Sequence, residues 1–265
     1  MSEINDLLHN KINKLKGILH DKKVIVAFSG GSDSLILSQL AKKYAKDLVL
    51  AIVTGPNIPI DEIDRAKDFA KVIDSPLYIL EYDPLSSSSF YNNTPLRCYA
   101  CKRLMFKKLN ELKMDLKYDM IVDGTNKSDM NEDRPGLKAL EEFGIISPFA
   151  LSGISKKEVL LIGEELGLSS WLVPSNTCYA TRIMDGLKIT EELLNIIRQA
   201  ELKIREICGV KLVRARIHTN LHCRIEVYPE EIHKLIQQDV RELLIKELSR
   251  IGLKYISVDL KGYRK

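Results

Sequence analysis

The stretch KVIVAFSGGSDSLILSQLAKKY, Lys23 to Tyr44, constrains the fold more than any other. Lys23 to Phe28 is an apolar, β-branched run of the kind that forms a buried strand. It passes directly into SGGSDS, and Leu35, Leu37, Leu40, Ala41 and Tyr44 then recur at helical spacing. The rhythm repeats downstream. DLVLAIVT (Asp47 to Thr54) reads as a second strand, and a helix runs from about Ile60 to Val72. PLYILEY (Pro76 to Tyr82) is a third strand; a polar loop with Ser86 to Ser89 and a helix from Tyr99 to Lys113 follow. YDMIVDGT (Tyr118 to Thr125) is a fourth strand, followed by a helix near Gly136 to Glu142 and a short strand at Gly144 to Ile146. A further helix is capped by Ser155. Strands without polar alternation, separated by helices, predict a doubly wound α/β domain with a parallel sheet. Its ligand belongs beyond the carboxyl ends of the strands.

After about Asp185 the pattern changes. A long helix capped by Thr190, two alternating strands (KLVRARIHT and HCRIEVY), a helix with Pro229 just inside its start and a last strand, LKYISVDL, predict a small α+β domain. The expected division is 1–184 and 185–265. The N-terminal residues Leu7, Leu8, Ile12, Leu15, Ile18 and Leu19 follow an amphipathic helical spacing, not that of an export signal. No apolar run is long enough to span a bilayer. Five cysteines without an export signal are expected to be reduced thiols in a cytoplasm. A net charge of +4 suits an anionic small molecule and argues against nucleic acid as the partner.

Ser29, Gly30, Gly31, Ser32, Asp33 and Ser34 lie where a strand becomes a helix. Glycines let the backbone approach a ligand closely, and the helix aims unpaired N–H groups into the turn. This predicts a cradle for pyrophosphate. The loop lacks the Gly-Lys-[Ser/Thr] ending of a Walker A loop and the spacing of a dinucleotide GxGxxG. Asp33 would repel phosphate unless Mg²⁺ stood between them, so a metal-linked role is expected for it. A Gly-rich turn with an ordinary helix cap is the bland alternative.

Cys98 and Cys101 stand three positions apart, and Cys178 lies in the later loop PSNTCYATR. Three readings stay open at this point: a zinc site, which lacks a second CxxC; buried, unligated thiols; and a [4Fe–4S] cluster on three cysteines. Cys208 and Cys223 read as core residues. Arg214 and Arg216 alternate along one strand and share a face, and Arg182 follows the third cysteine. Glu201 and Glu226 are weak candidates for a divalent cation.

SGGSDS resembles the PP-loop of ATP pyrophosphatases. The stretches FSGGSDS, RCYACK, DGTNKSDMNEDRPGLKAL, PSNTCYATRI and LVRARIHTNLHCRIEV, in that order, resemble the LarE-type sulfur transferases over nearly the whole chain. The resemblance implies an enzyme that uses ATP and Mg²⁺ to adenylate a carboxylate of pyridinium-3,5-biscarboxylic acid mononucleotide. Sulfur then displaces AMP and leaves a thiocarboxylate. It implies that Cys98, Cys101 and Cys178 hold a cluster that relays sulfide, or that Cys178 gives up its own sulfur. It implies nucleotide or substrate contacts for Gly124, Asp129, Arg182, Arg214 and Arg216, roles for Asp133 or Arg134, and a homo-oligomer. Where these enzymes more often show paired acids, this chain has Ser128-Asp129. A tRNA-thiolating PP-loop enzyme is the alternative, and a nucleotide-binding sensor without turnover is a third.

Overall fold

A computed structural model describes residues 2–131, 135–172 and 177–264. Asp133 and Arg134 lie outside them. In chain order the elements are α1 (Ser2–Leu19), β1 (Lys23–Ala27), α2 (Ser32–Tyr44), β2 (Asp47–Thr54), α3 (Ile60–Val72), β3 (Leu77–Glu81) and α4 (Ser88–Tyr91). Then come α5 (Arg97–Leu116), β4 (Met120–Val122), α6 (Pro135–Glu142), α7 (Pro148–Leu151) and α8 (Lys156–Glu165). The rest is α9 (Glu191–Cys208), β5 (Val213–His218), β6 (His222–Val227), α10 (Ile232–Ile236), α11 (Gln238–Arg250) and β7 (Tyr255–Val258). No described helix is long and apolar enough to cross a membrane.

The chain forms two compact units: residues 1–84 with 98–176, and residues 85–97 with 177–265. This differs from the expected single cut after residue 184. The serine-rich stretch and α4 belong to the second unit. Asn93 Nδ2 donates to the Met184 carbonyl at 3.0 Å and Ile189 N–H to the Tyr91 carbonyl at 2.8 Å. Phe90, 2% exposed, anchors the segment.

In the first unit, β1–β4 form a parallel sheet in the order β3-β2-β1-β4, flanked by helices. Its core combines Val24, Val26, Leu50 and Ile52 from the strands with Leu35, Ile36 and Leu40 of α2, Phe69 of α3 and Val159 and Ile162 of α8. The strand order turns at β1, whose neighbours are β2 on one side and β4 on the other. A crevice opens at such a point beyond the carboxyl ends of the strands. The expected strand at residues 144–146 is reduced to a single bridge between Ile146 and Val122. Ser155 caps α8 in a reciprocal capping box with Glu158.

In the second unit, β5 and β6 pair antiparallel and β7 adds parallel to β6. Ala215, Ile217, Cys223 and Ile225 lie on the buried face with Ile197, Ala200 and Ile204 of α9. Thr190 caps α9 by accepting from Leu193 N–H, and Gly209 closes it at φ 60°. The single helix expected after Pro229 is instead broken. Gln237 is extended (φ −57°, ψ 137°) between α10 and α11. Leu235 and Leu244 are both buried, yet nine residues of unbroken helix is about two and a half turns and would put them on opposite sides. The break lets both reach the core.

Candidate active site

The loop after β1 is ordered by its own hydroxyls. Ser34 Oγ donates to the Gly31 carbonyl at 2.9 Å and accepts from Ser29 N–H at 3.2 Å. The Ser29 and Ser34 hydroxyls lie 3.1 Å apart. Gly31 takes the N-cap position of α2 without a side-chain cap, which leaves the first-turn N–H groups aimed into the loop. Gly30 has φ +74°, a left-handed conformation that glycine adopts at little cost. The end of β4 closes the other wall. A Cβ on Gly124 would stand 2.8 Å from Ser34 N, so this glycine serves close packing of the segment after β4 on the first turn of α2.

Asp33 projects from that first turn. Lys156 Nζ donates to Asp33 Oδ1 at 2.5 Å, and Asn126 Nδ2 reaches Oδ2 at 3.4 Å. Burial raises the Asp33 acid above its ordinary value; Lys156 opposes that shift and Asp129 adds to it. Lys156 occupies the place beside Asp33 where a cation was expected, and sequence reasoning missed it. Its signal was present: it is the first helical residue after the Ser155 cap. Asp129 accepts from Asn126 N–H at 3.1 Å and thereby shapes the loop after β4.

Cys98 and Cys101 lie one turn apart near the start of α5, Cys98 exposed and Cys101 buried. Cys101 Sγ is 3.0 Å from the Tyr82 hydroxyl, which donates to Asn57 Oδ1 at 3.1 Å. Cys178, half-buried, falls in the second unit. Among the described residues, no three His, Cys, Asp or Glu side chains are gathered as metal ligands. Cys208 and Cys223 are buried, and burial pushes the Cys223 thiol up to about 12; both are core residues.

Arg182 corrects an expectation. Its side chain is fully buried, with Nε donating to Glu201 Oε1 at 2.8 Å. Its Nη1 donates to the carbonyls of Thr177 and Cys178 at 2.6 and 3.0 Å. It organises the turn that carries Cys178 and offers no open face to a substrate anion. Glu201 also accepts from Ala215 N–H at 3.1 Å. Glu226 is paired with Arg216 at 2.9 Å and Arg224 at 2.8 Å. Both acids are therefore paired with arginine.

The register of β5 and β6 puts Arg214 opposite Glu226, Arg216 opposite Arg224, and His218 opposite His222 on one face. Arg214 is 4% exposed and stacks over Tyr263. Burial, then the neighbouring Arg182, lowers its guanidinium from the ordinary range. Arg216 and Arg224 keep about 28% and 29% of their side chains exposed. Arg224, which also pairs with Asp259, was missed in the sequence. Its signal is the alternation HCRIEV, which puts it across from Arg216.

No family model matches the chain. It is 37% identical over 253 residues to an uncharacterised protein of Methanocaldococcus jannaschii, covering 95% of each chain. It is 31% identical over 260 residues to an uncharacterised protein of Synechocystis, covering 97% of this chain and 96% of that one. It is also 31% identical over 245 residues to the pyridinium-3,5-bisthiocarboxylic acid mononucleotide synthase of Lactiplantibacillus plantarum, covering 92% of this chain and 87% of that protein. The chain belongs to that synthase family. Its parallel sheet, with a glycine loop at the turn in strand order, is the PP-loop fold. A tRNA-specific 2-thiouridylase of Rhizobium rhizogenes is a more distant relative of this synthase-family chain, 26% identical over 192 residues.

Proposed function

We propose that the protein is an ATP-dependent sulfur transferase acting on pyridinium-3,5-biscarboxylic acid mononucleotide. The observation that carries this reading is the similarity to the synthase over 92% of the chain, joined to a phosphate-type loop at the β1 turn. A substrate carboxylate oxygen attacks the α-phosphorus of ATP. The bond to the β-phosphate oxygen breaks and pyrophosphate leaves. Sulfur then attacks the acyl carbon, the carbon–oxygen bond to AMP breaks, and a thiocarboxylate remains.

The loop N–H groups from Gly30 to Ser34 hold the leaving pyrophosphate, where donors aimed at developing charge act most strongly. Lys156, its side chain 45% exposed, exchanges Asp33 for a phosphate oxygen. The oxygen-rich pair Asp33 and Asp129 suits Mg²⁺, which would screen the triphosphate charge when bound. Arg216 and Arg224 meet the substrate phosphate as planar donors, with Arg214 adding charge behind them.

Cys98 and Cys101, soft thiols one turn apart, suit a [4Fe–4S] cluster completed by Cys178. When bound, the cluster would supply an exchangeable sulfide. The second reading needs Cys178 alone and is supported by that residue being only half-buried. The Cys178 thiolate displaces AMP to form a thioester. Loss of the Cα proton and cleavage of Cβ–S then release the thiocarboxylate and leave dehydroalanine. The protein is expected to act in the cytoplasm as a homo-oligomer, which size-exclusion chromatography with light scattering tests.

Anaerobic protein given ATP, Mg²⁺ and the pyridinium mononucleotide should release pyrophosphate and AMP, with no stimulation by tRNA. Release that depends on tRNA would overturn the assignment. Whole-protein mass after turnover separates the sulfur sources. Loss of one H₂S from Cys178 marks the sacrificial route, and an intact chain with several products marks the cluster.

A further inference from the structure

One buried acid has no part in the chemistry above. Glu62 lies in the first turn of α3, is 5% exposed, and its Oε2 has no hydrogen-bond partner among the described residues. Its carboxyl lies against the phosphate loop: a Cβ on Gly30 would stand 1.9 Å from Oε2. The missing side chain of that glycine is thus the space the carboxyl fills. An unpaired oxygen in such a place is far less costly on a neutral acid than on an ion. Burial accordingly holds the Glu62 acid up at about 7. The charged groups acting on it are Arg65 and Asp61 of its own helix, which oppose each other. Arg65 is turned to the Trp171 carbonyl at 2.7 Å. The loop brings the backbone of Gly30 against the carboxyl.

We propose that Glu62 is a positioning residue for the phosphate loop, an inference that rests on the ATP reading. With its proton, the carboxyl supports Gly30 in the left-handed shape that receives phosphate. Without it, a negative charge stands under the cradle and repels the triphosphate. By linkage, ATP binding draws a proton onto Glu62.

The test is ATP affinity of the full chain in Mg²⁺ from pH 6 to pH 8.5, for wild type and Glu62→Gln. Wild-type Kd should rise about sevenfold over the range, as expected if bound ATP raises the acid by about one unit. The variant should change no more than ATP's own titration dictates, so the ratio of the two isolates Glu62. Equal pH dependence in both proteins would overturn the role of Glu62 and leave the ATP reading standing. No ATP binding by wild type at pH 6 would overturn both. Should the variant not fold, calorimetry of wild type at pH 7.5 in buffers of differing ionisation enthalpy gives the answer. Net proton uptake on binding supports the inference, and no uptake overturns it.

Discussion

Gly30 meets two demands at once: a backbone at φ +74° and room for the Glu62 carboxyl. Gly30→Ala should cost about 1 kcal/mol for the left-handed backbone alone. It should also abolish measurable ATP binding, because either the loop or the acid must move. Isothermal calorimetry with ATP, beside a thermal melt, checks both. Glu62 also sets a stability slope. Its acid is raised from 4.5 to about 7, so the folded chain binds more protons than the unfolded one between those values. Stability is therefore highest below the lower value and falls as pH rises to about 7. Glu62→Gln should remove that slope and gain about 1–3 kcal/mol at pH 8, read by urea denaturation at several pH values. Glu62 was not legible in the sequence. An acid in a helix's first turn is ordinary there, and only the fold shows it facing glycine without a partner. The glycine loop itself was legible because paired glycines between an apolar strand and a helical pattern mark a tight strand-to-helix turn.

At the scale of elements, the start of α8 positions the loop's cation. Ser155 N–H donates to Glu158 Oε2 at 2.7 Å, and Glu158 also pairs with Lys11 at 2.6 Å. Ser155→Ala should cost about 1 kcal/mol of stability and weaken ATP binding, since Lys156 loses its fixed base. Lys156→Met should weaken ATP binding more while leaving the melting temperature nearly unchanged. A paired melt and binding titration separates the two. In the second unit, Arg182→Met strips the buried Glu201 of its close ion pair, leaving Arg205 at 3.8 Å and the Ala215 N–H, and should cost about 3 kcal/mol, checked by chemical denaturation. The helix caps at Ser155 and Thr190 were readable from local spacing. The break at Gln237 was not, because it answers to the depth of Leu235 and Leu244 in a core that local periodicity does not describe.

At the scale of the whole molecule, the alternation of strands and helices gave the parallel sheet, and the change of rhythm near Asp185 gave the second fold. The ownership of residues 85–97 was hidden. Four serines suggest a linker, but Tyr91 and Asn93 are held by Ile189 and Met184, far along the chain, and Phe90 is buried. A fragment ending at residue 184 should therefore show greater dye-binding apolar surface and a broader thermal transition than one in which Phe90 is also replaced by Ser.

That loaned segment has a temporal consequence. During synthesis, residues 85–97 leave the ribosome long before residue 177, so Phe90 must wait unpartnered while the sheet around β1 is already taking shape. The second unit cannot begin to close until nearly the whole message has been read.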